Sequence, residues 1–249
     1  MATRVSGDFA TICVGKTKEN FIVSSELLTS HSPYFKAALS TRWKEGQTRK
    51  IELPEDEEDA FELYVRWLLT RQIWSVDIAD DCSDKNTEDI TEEMLLIRAY
   101  CLGEMVQDTE FKDAVLDALI EENTKFPIVA VDSLDYAWKH TRPGSPLRNF
   151  LSHYWVRLVY SDQLLDLDNS SNYELVKDLL AASIERIGEL DGTGAENEIA
   201  EQCAEGHTCA YHEHGGSMLC YKRKRFDGSK ESKDSQKADG TKTKRTRTD

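Results

Sequence analysis

β-Branched and aromatic residues gather from Phe9 to Val14 and again from Phe21 to Val23, with Gly15-Lys16-Thr17-Lys18 between them. That pattern predicts two short strands joined by a turn. Ser24 or Ser25 is placed to cap a short helix, and Ser32 followed by Pro33 is an N-cap and first-turn pair for a second helix through Leu39. Ile51 to Leu53 reads as a third short strand.

From there the period changes to that of helices. Pro54 and the acids Glu55 to Asp59 suit a helix start, where carboxylates meet the positive end of the macrodipole. Phe61, Tyr64, Val65, Leu68 and Leu69 then form a core-facing stripe. Asp89 with Glu92 has the form of a capping box ahead of Met94, Leu95, Ala99, Leu102 and Met105. Phe111, Ala114, Val115, Ala118 and Leu119 repeat at three and four. Two further stripes run through Ile128, Val131, Leu134 and Trp138, and through Leu147, Phe150, Leu151, Tyr154, Trp155, Leu158 and Val159. Arg142-Pro143-Gly144-Ser145-Pro146 turns between them. Val176, Leu179, Leu180, Ile184 and Ile187 complete a last helix, and all these stripes read as faces buried in a core. Strands early and helices late predict an α+β fold.

The pattern weakens in three places. Val76 to Glu93 holds eight acids and one lysine and reads as a solvated loop between helices. Glu189 to Glu205 is interrupted by Gly192, Gly194 and many acids. The last 28 residues carry one large apolar side chain, Phe226, too little to offset the entropy of ordering them, so a disordered tail is expected.

Charge divides along the same line. Met1 to Tyr221 holds 20 Lys+Arg against 41 Asp+Glu, whereas Lys222 to Asp249 holds 11 against 5, within a total of −15. The body should repel nucleic acid, and the tail would offer it only weak, salt-dependent contact. No run of apolar residues exceeds four, far short of the ~20 that cross a bilayer, and Met1 to Phe9 is too short and polar for a signal peptide. A soluble chain of the nucleus or cytoplasm, with no membrane partner, is the expectation. In that setting the six cysteines read as thiols or metal ligands before disulfides.

Several of these residues carry a resemblance. Asp8-Phe9-Ala10, Phe21-Ile22-Val23, Leu27-Leu28, Ser30-His31-Ser32-Pro33-Tyr34-Phe35, Ala37-Ala38-Leu39, Glu45-Gly46-Gln47-Thr48, Ile51-Glu52-Leu53-Pro54 and Phe61 to Leu69 closely resemble a BTB/POZ domain. The type is that of filamentous-fungal members, which also tend to have the Gly144-Ser145-Pro146-Leu147-Arg148 segment. The resemblance implies a BTB/POZ domain over residues 6–122, built as a small sheet packed with helical hairpins. A helical extension over 123–190, a Cys/His-containing segment over 191–221 and a basic tail over 222–249 would follow. It also implies a non-enzymatic protein-interaction module. Tyr34 and Phe35 would bury against the Phe61 to Leu69 stripe and so support the fold more than the function. Where many members have a histidine and a basic residue after the second strand, this chain has Ser24 and Ser25. Only seven residues precede Asp8, so the strand-swapped dimer of animal members is not expected, while other self-association stays open. No zinc fingers or Kelch repeats follow.

Three places are candidates for function. Some members recruit a cullin scaffold and serve as substrate adaptors of ubiquitin ligases, through a hydrophobic residue, any residue, then glutamate after the second helix. Trp43-Lys44-Glu45 has that form, with Trp43 and Glu45 as the partner-binding pair; the alternative is a solvated loop with a locally packed tryptophan. Near the tail, Cys203, His207, Cys209, His212, His214 and Cys220 cluster, and Cys209, His212, His214 and Cys220 would supply the four ligands of a zinc ion; the alternative is a solvated run. Lys222, Arg223, Lys224 and Arg225, with Lys244, Arg245 and Arg247, resemble a bipartite nuclear-localisation signal, or else a solubilising tail. No P-loop, dinucleotide-binding glycine loop, nucleophile elbow or His-Glu-x-x-His motif is present, so catalysis is not expected. Two functions follow as expectations: a cullin-linked adaptor, or a nuclear, transcription-associated scaffold acting without a cullin.

Overall fold

The computed structural model describes residues 8–73, 91–125, 129–158, 172–190 (without the Glu189 side chain), 211–213 and 220. Among them are three strands, β1 (Phe9–Val14), β2 (Glu19–Ser24) and β3 (Lys50–Leu53). Nine helices accompany them: α1 (Ser25–His31), α2 (Pro33–Ala38), α3 (Lys44–Thr48), α4 (Glu58–Thr70), α5 (Glu92–Val106), α6 (Thr109–Lys125), α7 (Val131–His140), α8 (Pro146–Leu158) and α9 (Tyr173–Leu190). This is the α+β class that the sequence predicts. Met1–Glu213 forms one compact unit, and His214–Asp249 is a second, in which Cys220 is buried.

The strands pair in the order β2-β1-β3, with β1 antiparallel to β2 from Phe9↔Ser24 to Val14↔Glu19 and parallel to β3 from Thr11↔Lys50 to Val14↔Leu53. The hairpin turn needs left-handed backbone at both ends, and Gly15 and Lys18 supply it at φ 73° and 59°. A side chain at Gly15 would also collide with the Glu58 carboxylate, to which the Thr17 hydroxyl donates at 2.5 Å. The turn is thereby tied to the first residue of α4.

Ala10, Ile12, Val14, Val23, Ile51 and Leu53 bury one sheet face beneath the helices. The core continues as an aromatic cluster. Phe35 packs 6.4 Å from Phe61 and 6.3 Å from Tyr64, ring to ring, and Tyr64 meets Phe111 edge-on at 4.8 Å. Each such side chain contributes about 1.5–3 kcal/mol by leaving water. Ser32 fixes the entry to α2 as its sequence position predicts: its hydroxyl accepts the Phe35 N–H at 3.0 Å and donates to the Val106 carbonyl at 2.5 Å. One buried hydroxyl so caps α2 and joins it to the end of α5. Ser24 holds the N-cap position of α1, but its side chain makes no cap bond.

Some stripes face differently from expectation. In α4 the buried set is Ala60, Phe61, Leu63, Tyr64, Trp67 and Leu68, while Leu69 is exposed. The face is turned toward Trp67, which packs beside Phe111. Helix α5 is capped by Thr91, whose hydroxyl accepts the Met94 N–H at 3.3 Å, in place of the Asp89–Glu92 box, and Asp89 lies outside the described residues. It buries Leu96, Ile97, Ala99, Tyr100, Cys101, Leu102 and Val106, most of its circumference, because α4, α6 and α7 surround it. In α9 Leu179 is buried as expected, but Val176, Leu180, Ile184 and Ile187 are exposed, and Leu175 and Ala182 are buried in their place. Glu92 and Glu93, expected in a loop, form the first turn of α5; residues 74–90, the tail and most of Glu189 to Glu205 lie outside the described residues.

Glu93 is a cost of this packing. Its Oε1 is buried with no hydrogen-bond partner, and burial pushes its pKa up to about 7 despite the Ser133 hydroxyl and Ala130 backbone beside it. A carboxyl whose folded pKa lies above its unfolded value binds protons more readily in the native state. Its ionisation therefore removes stability as pH rises from about 4.5 to about 7. Partial exposure reduces the effect, to about 1–2 kcal/mol. Glu93→Gln should raise stability by that amount at pH 8 and leave it nearly unchanged at pH 4, below the unfolded value, which denaturant titration at the two pH values measures. Equal effects at both would show that Glu93 stays ionised.

Candidate protein-interaction surface

Trp43 and Glu45 lie where α2 turns into α3. Trp43 is the N-cap of α3 and is 61% exposed; Glu45, in the first turn, is exposed as well. An exposed indole costs free energy in water, and the backbone beneath it is pinned. The Trp43 N–H donates to Ser40 O at 3.1 Å, and the Gln47 amide side chain donates to Thr41 O at 3.3 Å. Gly46 lies so close that an added Cβ would sit 1.9 Å from the Ser40 carbonyl oxygen. At the other end of α3, Arg49 takes a left-handed conformation, its carbonyl accepts the Thr11 N–H at 2.8 Å and its guanidinium pairs with Asp8 at 2.5 Å. A short helix presenting a tryptophan is so fastened to the central strand. The partner-binding pair of the sequence reading is accessible, and the tryptophan is not packed locally.

The surroundings are acidic. The Tyr34 phenol is pushed up chiefly by its burial and then by the charges of Asp56 and Glu45. Asp56 is raised to about 6, first by burial and then by Glu55 and Glu57. These acids rim a cavity of about 190 Å³ whose other walls include Arg98, Cys101 and Tyr136. Arg98 sits 3.6 Å from Glu57 and lies over the Tyr136 ring at 5.5 Å, and Tyr136 stacks on His140 at 4.3 Å. Burial raises the Cys101 thiol, so it stays protonated and weakly nucleophilic. The arrangement offers an apolar anchor and carboxylates, suited to a partner with a matching pocket and cations.

The other candidates fare differently. His212 is held inside the first unit, with its Nε2 3.0 Å from Asp117 Oδ1 and its side chain fully buried. There it packs in the interior and shares a hydrogen bond with Asp117. Cys209 and His214 lie outside the described residues, as do Lys222, Arg223, Lys224, Arg225, Lys244, Arg245 and Arg247. Among the described residues no group of three or more His, Cys, Asp and Glu side chains is arranged to hold a metal ion. Also among them, no helix is long and apolar enough to cross a membrane.

Sequence reasoning missed the polar side chains that hold the helical part together. Arg148 is buried and reaches α7 and α9, and Lys112 is buried beside Glu104 and Glu213. Their charges marked them as surface residues, and only partners distant in sequence reveal otherwise. Comparison with protein-family models finds no match for the chain, and comparison with curated proteins finds none either.

Proposed function

We propose that this chain is a non-enzymatic protein-interaction module of BTB/POZ type, acting as a substrate adaptor that recruits a cullin scaffold to a ubiquitin ligase. The observation that carries the reading is the exposed Trp43, held at the start of the pinned helix α3 two residues before the exposed Glu45. A rigid, solvent-facing tryptophan beside a charge has the character of an interface anchor: the indole supplies the buried area, and the carboxylates set orientation and association rate. The likeness of Trp43-Lys44-Glu45 to the family's recruiting pattern names the partner.

Binding to the purified N-terminal region of a cullin, followed by calorimetry, tests the proposal. Trp43→Ala should weaken binding by about 2 kcal/mol, roughly 30-fold. Glu45→Ala should cost about 1 kcal/mol, with an effect that shrinks as salt rises. Neither should change thermal stability, since both side chains are exposed. Absence of binding rejects the cullin, and binding indifferent to both substitutions moves the site elsewhere.

A second reading, a nuclear scaffold that uses the same surface without a cullin, is supported by the clusters Lys222 to Arg225 and Lys242 to Arg247. Affinity capture from cell extract separates the two. Cullin peptides favour the first reading, and chromatin proteins favour the second.

A further inference from the structure

Helix α9 has two apolar faces. Leu175, Leu179 and Ala182 are buried on one, against α8 and α7. On the other, Tyr173, Val176, Leu180, Ile184, Ile187 and Leu190 form a stripe in which each residue is 47–80% exposed. At 100° per residue the two faces lie roughly 120° apart, so the core cannot cover both. The exposed stripe has no charged member. It amounts to roughly 700 Å² of apolar surface, more than the ~300–600 Å² of the largest patch on a typical monomer.

We propose that this stripe is a self-association surface, on which α9 packs antiparallel against α9 of a second copy of the chain. Three observations select that occupant. The first is area: a standard interface takes about 800 Å² from each partner, and two stripes supply nearly all of it. The second is the order of the stripe, which reads almost the same in both directions, with steps of three, four, four, three and three residues. Under a two-fold axis near residue 182, Leu180 meets the partner's Ile184, Val176 meets the partner's Ile187 and Tyr173 meets the partner's Leu190. A two-fold contact needs a surface complementary to itself, and this spacing of about 3.5 residues also keeps the seam in line along the ~27 Å helix. The third is charge. Taken whole, α9 carries Glu174, Asp178, Glu185 and Glu189 against Lys177 and Arg186, on a chain of net charge −15, a balance that disfavours the anionic surface of a membrane. The association is independent of the cullin proposal and leaves Trp43 and Glu45 untouched.

Sedimentation equilibrium of the full chain from about 1 to 100 μM is the test, a range that brackets the affinities expected of interfaces this size. A monomer–dimer equilibrium is expected. Because each copy carries −15, added salt should tighten it. Leu180→Glu combined with Ile184→Glu should weaken association by at least about 100-fold, through four desolvated carboxylates in the seam, two from each copy, while far-UV circular dichroism stays unchanged. The orientation has its own readout. In the Val176→Cys, Ile187→Cys double variant, oxidation should join residue 176 of one copy to residue 187 of the other, as identified by mass spectrometry of the linked peptides. A chain that stays monomeric across the range overturns the proposal, including when hydrogen exchange shows the stripe protected by the chain's own continuation. Dimers that survive the double glutamate variant overturn it too. Links from 176 to 176 overturn the antiparallel arrangement.

Discussion

Replacing Arg148 with Met is expected to cost about 3–5 kcal/mol and to lower the melting temperature by roughly 10 °C. The reason is the number of groups that depend on one guanidinium. Arg148 is 2% exposed, and its Nε donates to Thr141 Oγ1 at 3.0 Å, while Nη2 donates to Trp138 O at 2.7 Å and to Thr141 O. Nη1 pairs with Glu174 at 2.7 Å, and the plane lies over the Trp138 ring at 5.5 Å. The cation thus ties the C-terminal end of α7 and the first turn of α9 to α8. Met fills the same volume but leaves two carbonyls and a hydroxyl in the interior without donors, and each such orphan costs about 1–3 kcal/mol. Lys keeps the charge but lacks the planar fork, so it should recover less than half of the loss. Glu174→Ala should cost under about 1 kcal/mol, because that carboxylate is half exposed. Urea denaturation of the three variants measures this order. A Met variant within about 1 kcal/mol of the wild type would show that the buried acceptors find water instead.

The contrast with the stripe readings is instructive. The hairpin, the Ser32-Pro33 start of α2 and the α+β order were legible because each rests on residues close in sequence. Turn residues stand between two strand-forming runs, a hydroxyl sits three residues before the N–H it caps, and a period changes from strand to helix. Trp43 and Glu45 were legible as an accessible pair because polar residues from Thr41 to Gln47 surround them. What failed was the facing of apolar helices. Leu63 and Trp67 are buried in α4 and Leu69 is not, since the neighbours that select the face, Phe35 and Phe111, come from other helices. In α9 one apolar set was read where there are two, and spacing alone does not say which of them meets the core. Buried charges were illegible for the same reason. Arg148 and Lys112 look like solvated residues until their partners 26 and 101 positions away are in place. The hydrogen bond of His212 to Asp117, 95 residues earlier, was likewise beyond reach of local spacing.

Glu213→Ala is the second large effect, expected to destabilise the first unit by about 3 kcal/mol. Residues 211–213 lie against α6 and α8. Tyr211 packs edge-on to Phe150 at 5.4 Å, His212 pairs with Asp117, and the Glu213 N–H donates to Asp113 at 2.9 Å. Glu213 also pairs with Lys112, whose ammonium is 4% exposed and has its next carboxylate, Glu104, at 3.5 Å. Gly103 is what allows that amine inside, since a side chain there would come within 2.6 Å of the Lys112 stem. Removing the Glu213 carboxylate leaves a buried cation with one weaker partner, and the penalty is that of an uncompensated charge. Arg142 reaches the same carboxylate at 2.7 Å but is 64% exposed, so Arg142→Ala should cost under about 1 kcal/mol. The discriminating variant is Lys112→Met with Glu213→Ala. Deleting both charges removes the unpaired cation, so the double variant should be more stable than Glu213→Ala alone by about 2 kcal/mol. If the losses from Lys112→Met and Glu213→Ala simply add, the pair is not coupled, and the 211–213 strap is held by the Tyr211 and His212 contacts instead.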